Sequence, residues 1–474
     1  MLKHKARFCS RGGKQVEGEH FWETYTPVIN WRTVRLAIIL SLLADLKSRQ
    51  IDYVNAFTQA PADCDIFMTI PAGFSVHDNT LKFTGTSIKN DNSNYVLRIK
   101  KNMYGLRQAG NNWFDALRSS LLSFGFHQSC HDPCLFIKNN CLLLVYVDDC
   151  LVFAKSDEIL DEVLHALEKE FVLTSQGSVG AYLGIDIQRT TDGYLELTQT
   201  GLINKIITVC GLQDQSTEHH TPATMILTAD PDGPLREHSW NYRSIIGMLN
   251  YLASSTRPDI AFAVHQCARF TTAPRRLHEL GIRRIVRYLK ATSTKGYILR
   301  PSSTHNLDCF VDADFAGTWS SSTSDDPSSV KSRTGYVITF ASCPVLWCSK
   351  IQTEIALSTT EAEYIALSQS ARDIIPMRGL LQELSTATRL IVGSTIAHST
   401  IFEDNKGCVE LANAPKMRPR TRHIALKYHH FRSHVENGNL SICWIDTKHQ
   451  LADIFTKPLA ASSFIPLRQS LLGW

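Results

Sequence analysis

The 474-residue chain has no apolar run long enough to span a bilayer. Its longest, Leu36–Leu46, is broken by Ser41 and Asp45, whereas a spanning helix takes about 20 apolar residues. An amphipathic core helix is the better reading, and no membrane association is expected. The N-terminal stretch MLKHKARFCSRGGKQ is basic without an apolar core, so it is not a secretory signal. Nor does one sign of charge dominate. The 49 Lys and Arg against 45 Asp and Glu leave a net +4, which excludes a bulk polycation but not local basic faces that meet phosphate. No GxxxxGK[ST] or GxGxxG stands in a strand–helix setting, so NTPase and dinucleotide chemistry have no support. His430 and His434 stand at helical i,i+4 spacing without the glutamate of an HExxH zinc site. There is no internal repeat.

What is present reads as an ordinary globular composition, 43% hydrophobic and 20% charged. At roughly 150 residues per domain it makes about three domains. The 13 cysteines are odd in number and scattered, which fits reduced thiols in an intracellular compartment rather than a disulfide framework. Cys130 and Cys134, with His127 and His131, lack the second half of a paired zinc site and read as plain thiols.

Residues 1–157 mix strand and helix signals. Ile66–Pro71 and Tyr95–Lys100 predict strands, and Trp113–Phe124 predicts a helix ending at Gly125. CLLLVYVDDCLVF, Cys141–Phe153, is two apolar runs around an acidic centre, a hairpin with its acids at the tip. A helix is predicted over Asp161–Phe171, with Leu160, Val163, Leu164, Leu167 and Phe171 on one stripe. Thr217–Glu237, rich in Pro and Gly, is a connector, and Tyr242–Arg300 is helical with breaks at Pro258 and Pro274. A βββαβα-like passage begins at Leu307–Val311. It continues with Gly335–Phe340, Val345–Cys348, a helix from Glu361 and a strand at Thr400–Phe402. Ser320–Ser332 reads as a surface loop.

Two acids in a turn are ordinarily a solvated turn. Here the strands on either side are apolar, so Asp148 and Asp149 enter a buried setting, where adjacent carboxylates repel and call for a cation or a pKa shift. Asp52, ending another apolar strand in QIDYVNAF, is a third acid. Three carboxylates from two strands suit hard divalent cations, and a two-metal site serves phosphoryl transfer. A second set, Asp312, Glu363, Asp404 and Asp453, lies in the last third. Taken singly, each is read as a cap or surface acid, and spacing does not single them out.

The series of motifs is more specific. It runs from FWETYTPVINWRTVRLAI, QIDYVNAF, KKNMYGLRQAGNNWFDAL and GFHQSCHDPCLFIK to VYVDDCLVFAK and AYLGIDI. YRSIIGMLNYLASSTRPDIAFAV, RIVRYLKAT, VDADFAG, KSRTGYV, LSTTEAEYIAL, EDNKG, RHIALKYHHFRSHVENG and LADIFTKPL follow. In this order they resemble the reverse transcriptase–ribonuclease H region of a copia-type LTR retrotransposon polyprotein, over nearly the whole chain. The resemblance implies an α+β multidomain fold. A right-hand polymerase with partial fingers and palm spans 1–215, a thumb or connection-like helical region spans 216–300, and a ribonuclease H-like α/β domain spans 301–474. It implies RNA- and DNA-directed DNA synthesis, hydrolysis of RNA in RNA–DNA hybrids, and two-metal chemistry with Mg²⁺ or Mn²⁺ at both sites. RNA template, DNA primer, hybrid and dNTP are the implied partners, together with capsid and integrase parts of a parent polyprotein. The implied setting is a cytoplasmic virus-like particle or the nucleus.

By the same resemblance Asp52, Asp148 and Asp149 match the palm carboxylates, and Asp312, Glu363, Asp404 and Asp453 the ribonuclease H carboxylates. Glu363 is preferred to Glu361 because AEYIAL has the spacing of the retroviral motif. Phe57 matches the gate against the ribose 2′-hydroxyl, and its plain reading is a core aromatic. Tyr104, Gly105 and Arg107 match the stretch under the incoming base pair, and Lys5 and Arg7 the finger segment that meets the triphosphate. Tyr182, Leu183 and Gly184 match the primer grip. Gly110 stands where the family usually has Pro. The family has more finger sequence before KHKAR, so a truncated or decayed copy is expected, and a non-catalytic nucleic-acid-binding remnant is the rival reading. Arg283, Arg284, Arg287 and Lys290 on one helix, and the basic run Lys416–Arg432 with Tyr428 and Phe431, are candidate phosphate contacts.

Overall fold

The computed structural model describes residues 7–71, 96–214, 217–319, 329–388, 399–414 and 426–474. Contacts divide the chain into two units, Met1–Asn30 with Lys47–Ser178, and Trp31–Leu46 with Val179–Trp474. Two segments decide where the boundary between the units runs. One is helix α1, Trp31–Leu43. Its residues from Thr33 to Ser41 are all buried, so it is a core helix enclosed on every side rather than an amphipathic one. It packs on the strand Cys343–Ile351 of the second unit. Arg35, in its middle, is buried without a carboxylate. Its guanidinium donates to the carbonyls of Val345 (2.9 Å) and Ser255 (3.1 Å) and lies 4.0 Å over the Trp347 ring.

The first unit holds β1 (Lys47–Tyr53), β2 (Pro61–Thr69), β3 (Val96–Lys101) and α2 (Ala109–Ser123). It continues with β4 (His127–Gln128), β5 (Leu135–Lys138), β6 (Cys141–Tyr146), β7 (Asp149–Ala154), α3 (Asp157–Glu168) and β8 (Leu173–Ser175). Six strands form an antiparallel sheet in the order β4-β5-β6-β7-β1-β8, while β2 and β3 pair separately. The apolar runs of β6 and β7 are buried throughout, as their lack of alternation predicts. Helix α3 begins four residues before its expected start. Ser156 precedes it, Asp157 and Glu158 occupy the positive first turn, and Leu160, Val163 and Leu167 form its buried stripe against β7 and β1. Helix α2 stops where Gly125 takes φ +83°, a left-handed position open to glycine.

The second unit continues with β9 (Ala181–Tyr182), β10 (Ile185–Arg189), β11 (Leu195–Thr198) and α4 (Thr200–Val209). Helices α5 (Tyr242–Ser255), α6 (Ala261–Ala268) and α7 (Arg276–Ala291) and strand β12 (Tyr297–Leu299) follow. The strands join in the order β12-β11-β10-β9, the second reason that residues from 179 onward leave the first unit. Next come β13 (Leu307–Asp314), β14 (Arg333–Phe340), β15 (Cys343–Ile351), α8 (Thr359–Thr388), β16 (Ser399–Glu403), α9 (Lys406–Asn413), α10 (Arg432–Glu436), β17 (Leu440–Trp444), α11 (Asp453–Thr456) and α12 (Ala461–Leu472). Their sheet, β15-β14-β13-β16-β17, is antiparallel from β15 to β13 and parallel from β13 to β17. Helix α8 lies across β13, β14 and β16. The expected βββαβα order is present. Among the described residues no helix is long and apolar enough to cross a membrane, and all 13 cysteines are free.

Candidate active sites

The first carboxylate cluster is built by strand register. β1 and β7 are antiparallel neighbours, and Asp52 stands opposite Asp149. Tyr146 pairs with Asp149 across β6 and β7, so Val147 and Asp148 form a two-residue turn. Val147 takes φ +55°, a left-handed conformation that a β-branched residue adopts only when its surroundings impose it. The imposing contacts are visible. The indole Nε1–H of Trp113 donates to the Val147 carbonyl at 2.7 Å, and the Tyr53 amide donates to the Asp148 carbonyl at 3.0 Å. Trp113 is buried and held edge-on by Tyr53 and Phe171, with centroids 5.0 and 5.3 Å away. Sequence reasoning missed Trp113, since only the fold brings α2 under the turn. The three acids are half-buried. Burial, then Asp148 and Asp52, push the Asp149 carboxyl up to about 6.

Five residues after Asp52, Phe57 sits in a short turn, Ala56–Gln59. Its ring is 5.0 Å from that of Tyr104, and the Arg7 guanidinium lies 5.3 Å over Tyr104. The structure thus brings three of the candidate nucleotide-contact residues into contact, the two rings tilted by 51°. Phe57 also packs on the cluster Ile66, Ile99, Leu106 and Ala109, so its core role is part of its placement. Gly105 has φ +91°, and a Cβ there would stand 2.2 Å from the Ser10 carbonyl, a backbone approach that only glycine allows. Arg107 is exposed, its Nε donating to the Gly12 carbonyl at 3.1 Å and its guanidinium lying 5.1 Å over the Phe21 ring. Lys5 lies outside the described residues. At Gly110 a Cβ would meet Thr26 Oγ1 at 2.7 Å, so Thr26 fills the space that a larger residue would need.

In the second unit Leu183 (φ +49°) and Gly184 (φ +74°) form the turn between β9 and β10. The Tyr251 hydroxyl donates to the Leu183 carbonyl, and Tyr182 is buried.

The second cluster draws on four elements. Asp312 is inside β13, two residues before its end, rather than beyond it as expected. Glu363 is in the first turns of α8, Asp404 follows β16, and Asp453 opens α11. Carboxylate oxygens of Asp312, Glu363 and Asp404 all lie within 4.8 Å of one another. Asp453 joins through Lys457, whose ammonium donates to Asp453 Oδ1 at 3.0 Å and Asp312 Oδ1 at 3.2 Å. The Thr456 hydroxyl donates to Asp312 Oδ2, and the Thr447 hydroxyl to Asp404 Oδ2 at 2.7 Å. Glu363 is 6% exposed, and its Oε2 is buried with no hydrogen-bond partner. Glu361 accepts from the Leu357 amide at 2.8 Å instead.

Sequence reasoning also missed Glu403. It is fully buried at the end of β16 and accepts from the Asn405 amide at 3.0 Å through one oxygen, while the other has no partner. Burial, then Glu403, Asp312 and Asp404, raise Glu363 far above the usual carboxylate range, and burial with Asp312 and Asp404 does the same to Glu403. Burial and Asp312 push Asp453 up to about 7. Burial alone would lower the Lys457 ammonium, but Asp312 and Asp453 hold it well above its ordinary value. A buried, unpartnered carboxylate oxygen among hard oxygen donors is what a Mg²⁺ or Mn²⁺ ligand set looks like without its ion.

A family profile described as "Reverse transcriptase (RNA-dependent DNA polymerase)" matches residues 1–225. The Retrovirus-related Pol polyprotein from transposon RE1 of Arabidopsis thaliana is 32% identical over 98% of this chain, which spans 30% of that polyprotein. The chain belongs to the copia-type reverse transcriptase family. Its fold is α+β, with mixed helices and sheets. Among solved structures, a foamy viral protease–reverse transcriptase in complex with double-stranded DNA is 14% identical over 86% of this chain and 59% of that one, with a TM-score of 0.40. A ribonuclease H1 isolated from compost is 16% identical over 32% of this chain and 93% of its own, with a TM-score of 0.23. Both are loose likenesses of shape.

Several candidate contacts outside these clusters are used internally. On α7, Arg283 Nη1 is 2.7 Å from His238 Nε2, Arg284 donates to Thr221 Oγ1 at 2.9 Å, and Lys290 to the Gln213 carbonyl at 2.5 Å. These three cations are thus engaged inside the unit. Tyr428 and Phe431 are buried, Tyr428 donating to Glu354 at 2.6 Å, so neither offers a base-stacking face. Lys416, Arg418, Arg420 and Arg422 lie outside the described residues. Cys134 is buried, and burial pushes its thiol up to about 12.

Proposed function

We propose that the chain carries two phosphoryl-transfer sites: an RNA- and DNA-directed DNA polymerase site on the first unit and a nuclease site for RNA in RNA–DNA hybrids on the second. The observation that carries this reading is the convergence of the matched acids, Asp52 opposite Asp149 on one sheet and Asp312, Glu363 and Asp404 within 4.8 Å on another. Mg²⁺ or Mn²⁺, when bound, supplies positive charge that activates an attacking hydroxyl and neutralises the leaving oxygen. Asp52, Asp148 and Asp149 would hold those ions on the first unit, and on the second Asp312, Glu363 and Asp404 would hold a divalent cation, with Asp453 beside them.

The remaining steps fall to the chain's own side chains. Trp113 and Tyr53 fix the turn that aims Asp148 and Asp149, which is positioning of the kind that sets rate. The tilted Phe57–Tyr104 ring pair supplies bulk where a ribose 2′-hydroxyl would otherwise enter. On the primer side, a 3′-hydroxyl attacks the α-phosphate of a dNTP and pyrophosphate leaves. On the hybrid, a water attacks the RNA phosphodiester. RNA template, DNA primer, dNTP and hybrid are thus the proposed partners, with capsid and integrase as further products of the parent polyprotein. We place this chemistry in a cytoplasmic virus-like particle or the nucleus. The test is primer extension on poly(rA)/oligo(dT) with Mg²⁺, parent beside Asp148→Asn. Extension by the parent that Asp148→Asn abolishes supports the reading, and extension at the parent rate by Asp148→Asn refutes it.

A further inference from the structure

The four acids of the second cluster are not compensated alike. Lys457 Nζ bridges Asp312 Oδ1 at 3.2 Å and Asp453 Oδ1 at 3.0 Å. Both carboxylates are removed from water, with side chains 1% and 9% exposed, while that of Lys457 is 34% exposed. These are charge-assisted hydrogen bonds to two acids that no other Lys or Arg pairs with among the described residues. Among the described residues no Lys or Arg pairs with Glu363 or Asp404, and Glu363 Oε2 is buried without a partner. The cluster therefore has two halves that share Asp312. One already contains a positive charge, and the other is short of one.

The local fold keeps the lysine there. Asp453 and Lys457 are one turn apart, and the Lys457 amide donates to the Asp453 carbonyl at 3.1 Å at the end of α11. The Thr456 hydroxyl next to it takes the other oxygen of Asp312. A divalent ion bridging Asp312 and Asp453 at about 2.1 Å from their oxygens would claim the oxygens that the ammonium holds and face its like charge.

We infer that Lys457 is a built-in cation of this site. Its ammonium fills the position between Asp312 and Asp453, and the chain takes one divalent ion there, on Asp312, Glu363 and Asp404. The inference rests on the reading of this cluster as the metal-dependent nuclease site. It replaces the second metal ion expected there with a side chain, whose charge is present at any metal concentration. Lysine suits the role as a compact point charge on a flexible stem.

The test counts ions rather than products. The full chain carries Asp52→Asn, Asp148→Asn and Asp149→Asn to disable the first cluster, and is mixed with a 2′-O-methyl RNA–DNA hybrid that resists cleavage. Bound Mn²⁺ is read by electron paramagnetic resonance. One ion is expected with Lys457 in place, one with Lys457→Arg, and two with Lys457→Met. In chelator the thermal midpoint of Lys457→Met should fall and Mn²⁺ should restore it, while Lys457→Arg should behave as the parent. Two ions with Lys457 in place overturn the inference while leaving the metal reading intact, and one ion in folded Lys457→Met does the same. No ion beyond that bound by an added Asp404→Asn variant overturns the metal reading and the inference together. If Lys457→Met fails to fold, the counts for the parent and for Lys457→Arg still decide.

Discussion

Gly335→Ala should cripple the second site without touching an acid. Gly335 stands opposite Asp312 in the β13–β14 register. A Cβ there would be 2.5 Å from Thr456 Cγ2, 2.8 Å from Phe455 Cβ and 3.1 Å from the Ala452 carbonyl. Carbon atoms pack best at about 3.5–4.0 Å, so α11 must move out by roughly 1 Å. That element carries Asp453, the Thr456 hydroxyl bound to Asp312 and the start of the Lys457 stem. A misplacement of about 1 Å in a catalytic constellation costs on the order of 100-fold in rate, and the overpacking itself costs about 1–3 kcal/mol of stability. Labelled-hybrid cleavage and primer extension on one preparation are the assay. Cleavage should fall by about two orders of magnitude while extension stays at the parent level. Gly335→Ala combined with Thr456→Ser, which keeps the hydroxyl and deletes the methyl in closest contact, should recover part of the loss. Parent-level cleavage by folded Gly335→Ala, or no recovery in the double variant, refutes the reasoning.

Three further outcomes follow from the first unit. Trp113→Phe removes the donor to the Val147 carbonyl and should cost about 1–3 kcal/mol of stability. It should lower the single-turnover rate of extension while hybrid cleavage is unchanged, and equal losses in both assays would reduce Trp113 to a packing residue. Phe57→Ala should raise ribonucleotide incorporation relative to dNTP, and unchanged selectivity in single turnover would return Phe57 to the core alone. Asp149 is raised from 3.8 to about 6, so the folded chain without metal binds that proton more tightly than the unfolded one, and stability falls as pH rises through that window. Metal binding takes the ionised form. The gain in thermal midpoint on adding Mg²⁺ should therefore be larger at about pH 7.5 than at about pH 5, and Asp149→Asn should reduce the difference, the raised Asp453 and Glu363 of the second cluster keeping the rest. A gain that does not change with pH would contradict the assignment.

The first cluster was legible because its parts are local. The apolar runs around Asp148 and Asp149 declared a buried hairpin, and Asp52 ended a strand of the same character. The second cluster was legible only through resemblance. Its acids sit far apart in sequence, on a strand, two helices and a strand end, and only the β13–β16 pairing and the docking of α8 bring them together. The same distance hid Trp113, Glu403 and Lys457, whose partners are set by packing and not by spacing. Leu36–Leu46 was read as amphipathic, but Arg35 is solvated by carbonyls and the Trp347 ring, which lets the whole helix be buried. Basic and aromatic residues on α7 and near Phe431 invited a nucleic-acid reading because charge and ring are visible in sequence, whereas the intramolecular partners that use them are not.

Independence of the two sites is the central claim, and one paired measurement tests it. Asp404→Asn and Asp52→Asn are each assayed for hybrid-RNA cleavage and for primer extension on the same preparation with Mg²⁺. The account predicts that Asp404→Asn stops cleavage and leaves extension standing, and that Asp52→Asn does the reverse. If either substitution abolishes both activities in a folded chain, or leaves untouched the activity it is assigned to, the account is contradicted.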